Sequence, residues 1–172
     1  AITAQNPPLR EYRAMTQVLE DLGAHIKASM TSAIGEQTMA VGELTLNASA
    51  DQIYAVIKFL RDDPRCKFTT LIDICGADYP ERGKRFDVVY HLLSMQLNHR
   101  IRIKIETDEQ APVASIAGIF PCADWFEREA FDMYGILFSN HPDLRRLLTD
   151  YGFEGFPLRK DFPLSGHVEV RY

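Results

Sequence analysis

Residues 127–135 read EREAFDMYG, which places four charges and three bulky apolar side chains within nine residues. Carboxylates at that density suggest acid–base chemistry, with Glu129 working against Asp132 or His141 as acid and base. Such a reaction also needs a pocket, an activated nucleophile and a group that stabilises developing charge. The chain advertises none of these. Its five histidines form no HExxH pair, and there is no Gly-rich phosphate loop, GxSxG elbow or GxGxxG turn.

The same residues have a structural reading. Asp124 and Glu127 stand in N-cap and N3 relation, so Glu127 can close a capping box, and Gly135 suits the position just past a helix end. The spacing predicts a helix over 125–134. Phe126, Ala130 and Met133 form its apolar stripe, flanked by Trp125 and Tyr134. Arg128 lies four residues before Asp132, an i,i+4 pair worth about 0.3–0.5 kcal/mol. Glu129 has no evident local partner. Because tuned catalytic pairs are a minority among charge clusters, the structural reading is preferred.

The elements that would position this helix can be read from periodicity. Residues 8–27 show a helical stripe of Tyr12, Met15, Leu19, Leu22 and Ile26, with Pro8 in the first turn and Gly23 as a possible early end. Short strands follow over 34–46, with Gly42 at a turn. Ser49 and Gln52 read as a second capping box before the stripe Ile53, Val56, Ile57 and Leu60, which Pro64 stops. Three strands come next. Phe68, Thr70, Ile72 and Ile74 share a face of the first, Phe86, Val88, Tyr90 and Leu92 line the second, and Ile101, Ile103 and Ile105 alternate with charges in the third. Short turns between them predict an antiparallel meander with one wet face and one covered by the two helices. The fold class is therefore α+β: a two-layer domain over 1–108, then a linker and charged helix over 109–135, then an irregular tail over 136–172.

Composition narrows the function. The 172-residue chain has net charge -5, pI near 5.5 and mean hydropathy -0.18. An acidic balance argues against a nucleic-acid partner. The basic pairs Arg145-Arg146 and Arg159-Lys160 are followed by Asp150 and Asp161, which suggests salt-bridged or solvated pairs. Cys66, Cys75 and Cys122 have no CxxC spacing, so no disulfide framework, zinc or iron–sulfur site is expected, and no cofactor or metal is assigned to this chain. No apolar run approaches the ~20 residues of a membrane span. The chain opens on Ala1 rather than Met, and residues in front of it are expected to have been removed.

The tail carries Tyr151, Phe153, Phe156 and Phe162 in a stretch broken by glycines and prolines. Long irregular segments are usually functional or disordered, and disordered ones are poor in aromatics. These rings either fold back on their own domain or enter a partner, and the partner reading is favoured. Asp143, Arg145, Arg146, Asp150, Arg159 and Asp161 would supply its charge pairing.

EREAFDMYGI (Glu127–Ile136) resembles the signature of the 30 kDa subunit family of proton-pumping NADH:quinone oxidoreductase, respiratory complex I. Glu127, Arg128, Glu129, Phe131, Asp132, Met133, Tyr134, Gly135 and Ile136 meet its fixed positions. HPDLRRLLTDYGFEGFPLRKDFPLSG (His141–Gly166) and FDVVYHLLSM (Phe86–Met95) are similar to the same family. Two departures stand out. Many members have His where this chain has Phe156, and relatives commonly continue past the equivalent of Tyr172 with an acidic tail.

The resemblance implies a peripheral-arm subunit without a redox centre. It would pack against the quinone-site subunit, among other hydrophilic-arm neighbours, with its tail laid over that partner. The parent complex carries FMN, iron–sulfur clusters and quinone; this chain alone is not expected to be catalytic. It would lie on the cytoplasmic face of a bacterial inner membrane or the matrix face of a mitochondrial one. The signature residues together with His141, Asp143, Arg145, Arg146, Asp150, Tyr151, Phe153, Arg159, Lys160, Asp161 and Phe162 would then form anchors and interface. Glu127 caps, Arg128 pairs with Asp132, and Glu129 is an internal or intersubunit salt bridge.

Overall fold

The computed structural model describes the backbone of residues 9–166 and side chains from Thr16 onward. Pro8 and the side chains of Tyr12 and Met15 lie outside that range. Helix α1 runs Leu9–Ser29 and buries Leu19, Leu22 and Ile26. Gly23 does not end it. A Cβ there would stand 2.5 Å from the Gln37 side-chain amide of strand β1 (Ile34–Ala40), so glycine leaves room for that side chain, whose Nε2 donates to the Glu20 carbonyl at 3.3 Å. Strand β2 (Glu43–Ala48) returns through a two-residue turn in which Val41 (φ 52°) and Gly42 (φ 77°) are both left-handed.

The second capping box does not form. Ser49 makes no capping bond; its hydroxyl donates to Asp51, while Gln52 accepts from Ser32. A 3-10 turn (Ala50–Gln52) leads instead into α2 (Ile53–Asp62), whose stripe Ile53, Val56, Ile57 and Leu60 is buried as its spacing predicts. Asp63 leaves the helix in extended conformation (ψ 130°), as a residue before proline must.

Strands β3 (Thr70–Asp78), β4 (Phe86–Ser94) and β5 (His99–Thr107) form the expected antiparallel meander. The strand order is β1-β2-β5-β4-β3, and β2 lies parallel to β5, so the sheet is mixed rather than purely antiparallel. The alternation in β4 and β5 holds, with Phe86, Val88, Tyr90, Leu92, Ile101, Ile103 and Ile105 in the core. In β3 it fails: a bulge between Leu71 and Asp73 turns Leu71 and Ile74 inward and leaves Ile72 exposed. One extra residue shifts the two-residue period.

Cover comes from three helices, not two. After a two-residue strand β6 (Val113–Ala114), α3 (Ala123–Tyr134) packs on β3, and β7 (Phe138–Ser139) pairs parallel with β6. Gly76 pairs with Val88 and so faces the core, and the space its Cβ would fill is taken by the Tyr134 ring, 2.6 Å away. Tyr134 also meets Phe86 edge-on at 6.5 Å. Val113, Ile116, Phe120, Ala130, Ile136 and Phe138 join the same core as the sheet.

Candidate functional site

The charged helix is α3, and its charges do different work from what their spacing suggests. The N-cap residue is Cys122, not Asp124, and it makes no side-chain cap. Glu127 is fully buried and reaches away from its own helix end. It accepts from the Ser115 hydroxyl at 2.6 Å and the Ile116 amide at 2.7 Å, fastening the β6–α3 connection to the core. Burial pushes its carboxyl up, against the pull of those two donors.

Arg128 does not pair with Asp132. Its guanidinium lies 6.0 Å from the Trp125 ring and donates to the carbonyls of Arg145 (3.2 Å) and Arg146 (3.4 Å). Asp132 is equally buried and acts as a receptor for the chain that follows. Its Oδ2 accepts from the amides of Leu147 (2.9 Å), Leu148 (2.6 Å) and Thr149 (3.0 Å). Its Oδ1 accepts from the Thr149 hydroxyl at 2.7 Å and from Arg146 at 3.0 Å. Burial alone would raise this carboxyl, but the Thr149 hydroxyl and the three amides outweigh it and hold it well below the usual carboxylate range. Arg128 and Asp132 therefore grip complementary polar groups of one loop, carbonyls by the cation and amides by the anion.

Further anchors continue along the tail. Gly135 ends α3 with φ 78°, its amide donating to Phe131. Arg159 Nε donates to the Tyr134 carbonyl at 2.7 Å, and the guanidinium lies between the rings of Phe156 (4.4 Å) and Phe86 (5.1 Å). Leu158 donates its amide to Met133. Asp78, buried at the end of β3, accepts the Lys160 amide at 2.7 Å and a two-pronged grip from Arg85 at 2.6 and 2.9 Å. The Arg85 hydrogen bond is the main reason Asp78 lies below its ordinary pKa. Arg85 also binds Asp161 (2.8 Å) and Glu109 (3.2 Å), and Arg159 binds Glu109 at 2.9 Å. Sequence reasoning misses Asp78, Arg85, Glu109 and Ser115. Their partners are distant in the chain, and no spacing rule points to them.

The tail thus folds back on its own domain through its charges. Phe156 is covered by Arg146 and Arg159, and Phe153 stacks on Phe162 at 6.0 Å. The basic residues are acid-paired as expected, though with different acids: Arg145 with Asp143, Arg146 with Asp132, Arg159 with Glu109. Lys160 contributes its amide, and Asp150 is exposed, its carbonyl accepting from Phe153. The solvent side mixes charge with apolar groups: Asp143, Arg145, Glu154 and Asp161 are exposed, and among them Tyr151 and Leu164 are fully exposed, with Leu148 at 60% and Leu158 at 50%.

The acid–base trio is not assembled. Glu129 is exposed, and among the described residues it has no ion-pair partner, so an internal salt bridge is not formed. Asp132 is saturated by donors. His141 is buried, with Nδ1 accepting the Asp143 amide at 3.1 Å and Nε2 at 3.1 Å from the Asp124 carbonyl and 3.7 Å from Glu127. A nitrogen that accepts an amide proton carries none, so the ring's proton is assigned to Nε2 and directed at Asp124.

One cluster has metal-ligand spacing among the described residues: His25, Asp63 and Cys66, on α1 and the turn after α2, with ligand atoms within 4.8 Å. It is knit as a hydrogen-bonded corner. His25 lies 3.3 Å from Asp63, the Arg65 amide donates to Asp63, and the Arg65 guanidinium sits on His25 Nδ1 at 3.1 Å, where a second cation would be repelled. Burial pushes the Cys66 thiol up to about 12.

Gly135→Ala should cost about 1–3 kcal/mol, since a β-carbon at left-handed φ would lie 2.7 Å from both Arg159 and Phe156. Urea denaturation measures this, and an unchanged midpoint would contradict the packing described.

Fold and site together define an α+β domain whose buried charges on α3 and β3 hold the chain segment that follows. Comparison with known proteins gives the class a family. Residues 46–168 match the family described as respiratory-chain NADH dehydrogenase, 30 Kd subunit. The chain is 63% identical over 158 residues to an NADH-quinone oxidoreductase subunit of Maricaulis maris, spanning 92% of this chain and 79% of that one. The protein of the same name from Hyphomonas neptunium is 64% identical over 157 residues, spanning 91% and 78%. That from Caulobacter vibrioides is 61% identical over 158 residues, spanning 92% and 80%. A chain in the membrane-bound sulfane sulfur reductase, an archaeal respiratory membrane complex, has the same fold, with TM-score 0.70, 24% identity and coverage of 84% and 85%. The chain belongs to the 30 Kd subunit family of respiratory-chain NADH dehydrogenase.

Proposed function

We propose that this chain is a non-redox scaffold subunit in the peripheral arm of a proton-translocating NADH:quinone oxidoreductase. In that complex electrons pass from NADH through FMN and iron–sulfur clusters to quinone, and this chain supports the path by packing against the quinone-site subunit. The observation that carries the reading is the tail held to the domain by Asp132, Asp78 and Arg85 while Leu148, Tyr151, Leu158 and Leu164 stay exposed. A rigid backbone that offers apolar anchors binds without a large ordering cost. The names of the relatives supply the enzyme, and the tail supplies the means of joining it.

The three segments divide the work. Residues 1–108 form the body, 109–135 carry the anchoring helix, and 136–172 present the interface. Exposed Glu129 is available for an intersubunit salt bridge. None of the described helices is long and apolar enough to cross a membrane, which is consistent with peripheral attachment through neighbours, on the cytoplasmic or matrix face.

The combined variant Leu148→Ser, Tyr151→Ser and Leu164→Ser tests this. All three side chains are exposed, so stability of the isolated chain should change by about 0.5 kcal/mol or less per site. Recovery of partner subunits with the tagged chain should fall about tenfold or more, as for loss of interface anchors. Full recovery would reject the tail as the interface.

A further inference from the structure

The two edges of the sheet differ. At β3 the face is covered by α3 at Gly76 and the strand's end is tied to the tail through the Asp78 side chain. At the other end, among the described residues, β1 has one strand neighbour, β2. From Gly35 to Ala40 every residue is exposed or half-buried. An open strand edge is a template for pairing, and proteins protect it with charged residues, proline or bulges along the strand. Strand β1 reads IGEQTMA, with no lysine or proline and Glu36 as its single charge. A bulge between Ile34 and Gln37 leaves Gln37–Ala40 as a regular stretch.

The turn beyond β1 points the same way. Two-residue turns with both residues left-handed favour Asn or Gly, yet this one has Val41 at φ 52°. A β-branched side chain in that conformation is strained. Val41 is also 95% exposed, so no contact within the described chain offsets the strain. An apolar side chain held out at the tip of the regular stretch Gln37–Ala40 is suited to a contact with another chain.

We propose that β1 is a docking edge that receives an extended segment of a neighbouring subunit as a sixth strand. The segment would carry a basic residue at the Glu36 end and apolar side chains beside Met39 and Val41. Glu36 sets the charge, since among the described residues it has no ion-pair partner. Met39, half-buried and packed against the core, sets the apolar position. Main-chain bonds would supply affinity and the flanking side chains selectivity. The inference rests on the proposed place in a multi-subunit complex only for the source of the strand, and it concerns a surface other than the tail.

Amide hydrogen exchange of the tagged chain, alone and within the detergent-extracted complex, tests it. Amides of residues 37–40 should exchange about tenfold or more slowly in the complex. Glu36→Lys should remove most of that protection while leaving protection of the tail intact. Equal exchange of 37–40 in both states, with 147–164 protected in the complex, would overturn the docking edge and leave the proposed function standing. No protection at either segment would overturn both. Protection in the free chain that grows with its concentration would make a second copy the occupant and overturn the proposal, and an unaffected Glu36→Lys variant would overturn the basic partner.

Discussion

Asp132→Ala is expected to cost about 3–5 kcal/mol, the range for breaking a buried charge pair by removing one partner. Three amides, one hydroxyl and a guanidinium lose their shared acceptor at once. The damage spreads because buried Arg128 depends on the carbonyls of Arg145 and Arg146, which stay in place only while this loop is held. The readouts are the denaturation midpoint and protease cutting within 145–160, which should become fast under native conditions. Asp132→Asn should fall between, since one carboxamide oxygen can accept where two carboxylate oxygens did. An Asp132→Ala protein with wild-type stability and a protected tail would remove the anchor from this account.

The same carboxylate predicts an acid dependence. Its folded pKa lies below the ordinary Asp value of about 3.9, so the unfolded chain binds the proton more readily. Its stabilising contribution is complete above that ordinary value and is lost as pH falls below about 4 towards the folded pKa. Asp78, lowered chiefly by its hydrogen bonds from Arg85, adds to the loss in the same window. The tail should therefore loosen in acid before the sheet unfolds, and Asp132→Asn should flatten that part of the profile.

Glu127→Ala is the second large effect, also about 3–5 kcal/mol, because it leaves the Ser115 hydroxyl and Ile116 amide buried without their acceptor. Here the charge itself is a burden. Burial raises the Glu127 pKa, so its contribution is fully present below the ordinary Glu value of about 4.3 and is lost as pH rises through the folded pKa. Glu127→Gln keeps an acceptor and sheds the charge. It should stay within about 1 kcal/mol of wild type at neutral pH, with a flatter pH dependence on the alkaline side. Equal damage from Gln and Ala would mean that the ionised carboxylate is required.

These two residues show how much is legible in the sequence and why the rest is not. The stripes of α2, β4 and β5 are readable because each buries one face at its own period. Gly135 is readable because a helix end demands left-handed backbone. The bulge at Leu71–Asp73, the parallel β2–β5 pairing and the helical Gly23 are not, since each answers a neighbour that sequence spacing does not reveal. The motif EREAFDMYG discloses its importance but not its wiring. Glu127 reads as a cap and Arg128–Asp132 as a local pair, because i,i+3 and i,i+4 rules see only the helix. In the fold all three turn to Ser115, Ile116 and residues 145–149, where buried charges must find partners wherever the chain supplies them. The aromatics of the tail suggest anchors for a partner; Phe153, Phe156 and Phe162 are instead engaged internally, and Tyr151 with the leucines faces out.

The most direct test of the account is a pull-down of the tagged chain from a mild-detergent extract of its own membranes. The bound fraction is scored for flavin and iron–sulfur absorbance and for NADH oxidation sensitive to a quinone-site inhibitor. A large, coloured, active assembly is predicted, with the colour lost when the chain is stripped from its neighbours. A colourless monomer, recovered while intact complex remains elsewhere in the extract, would contradict it.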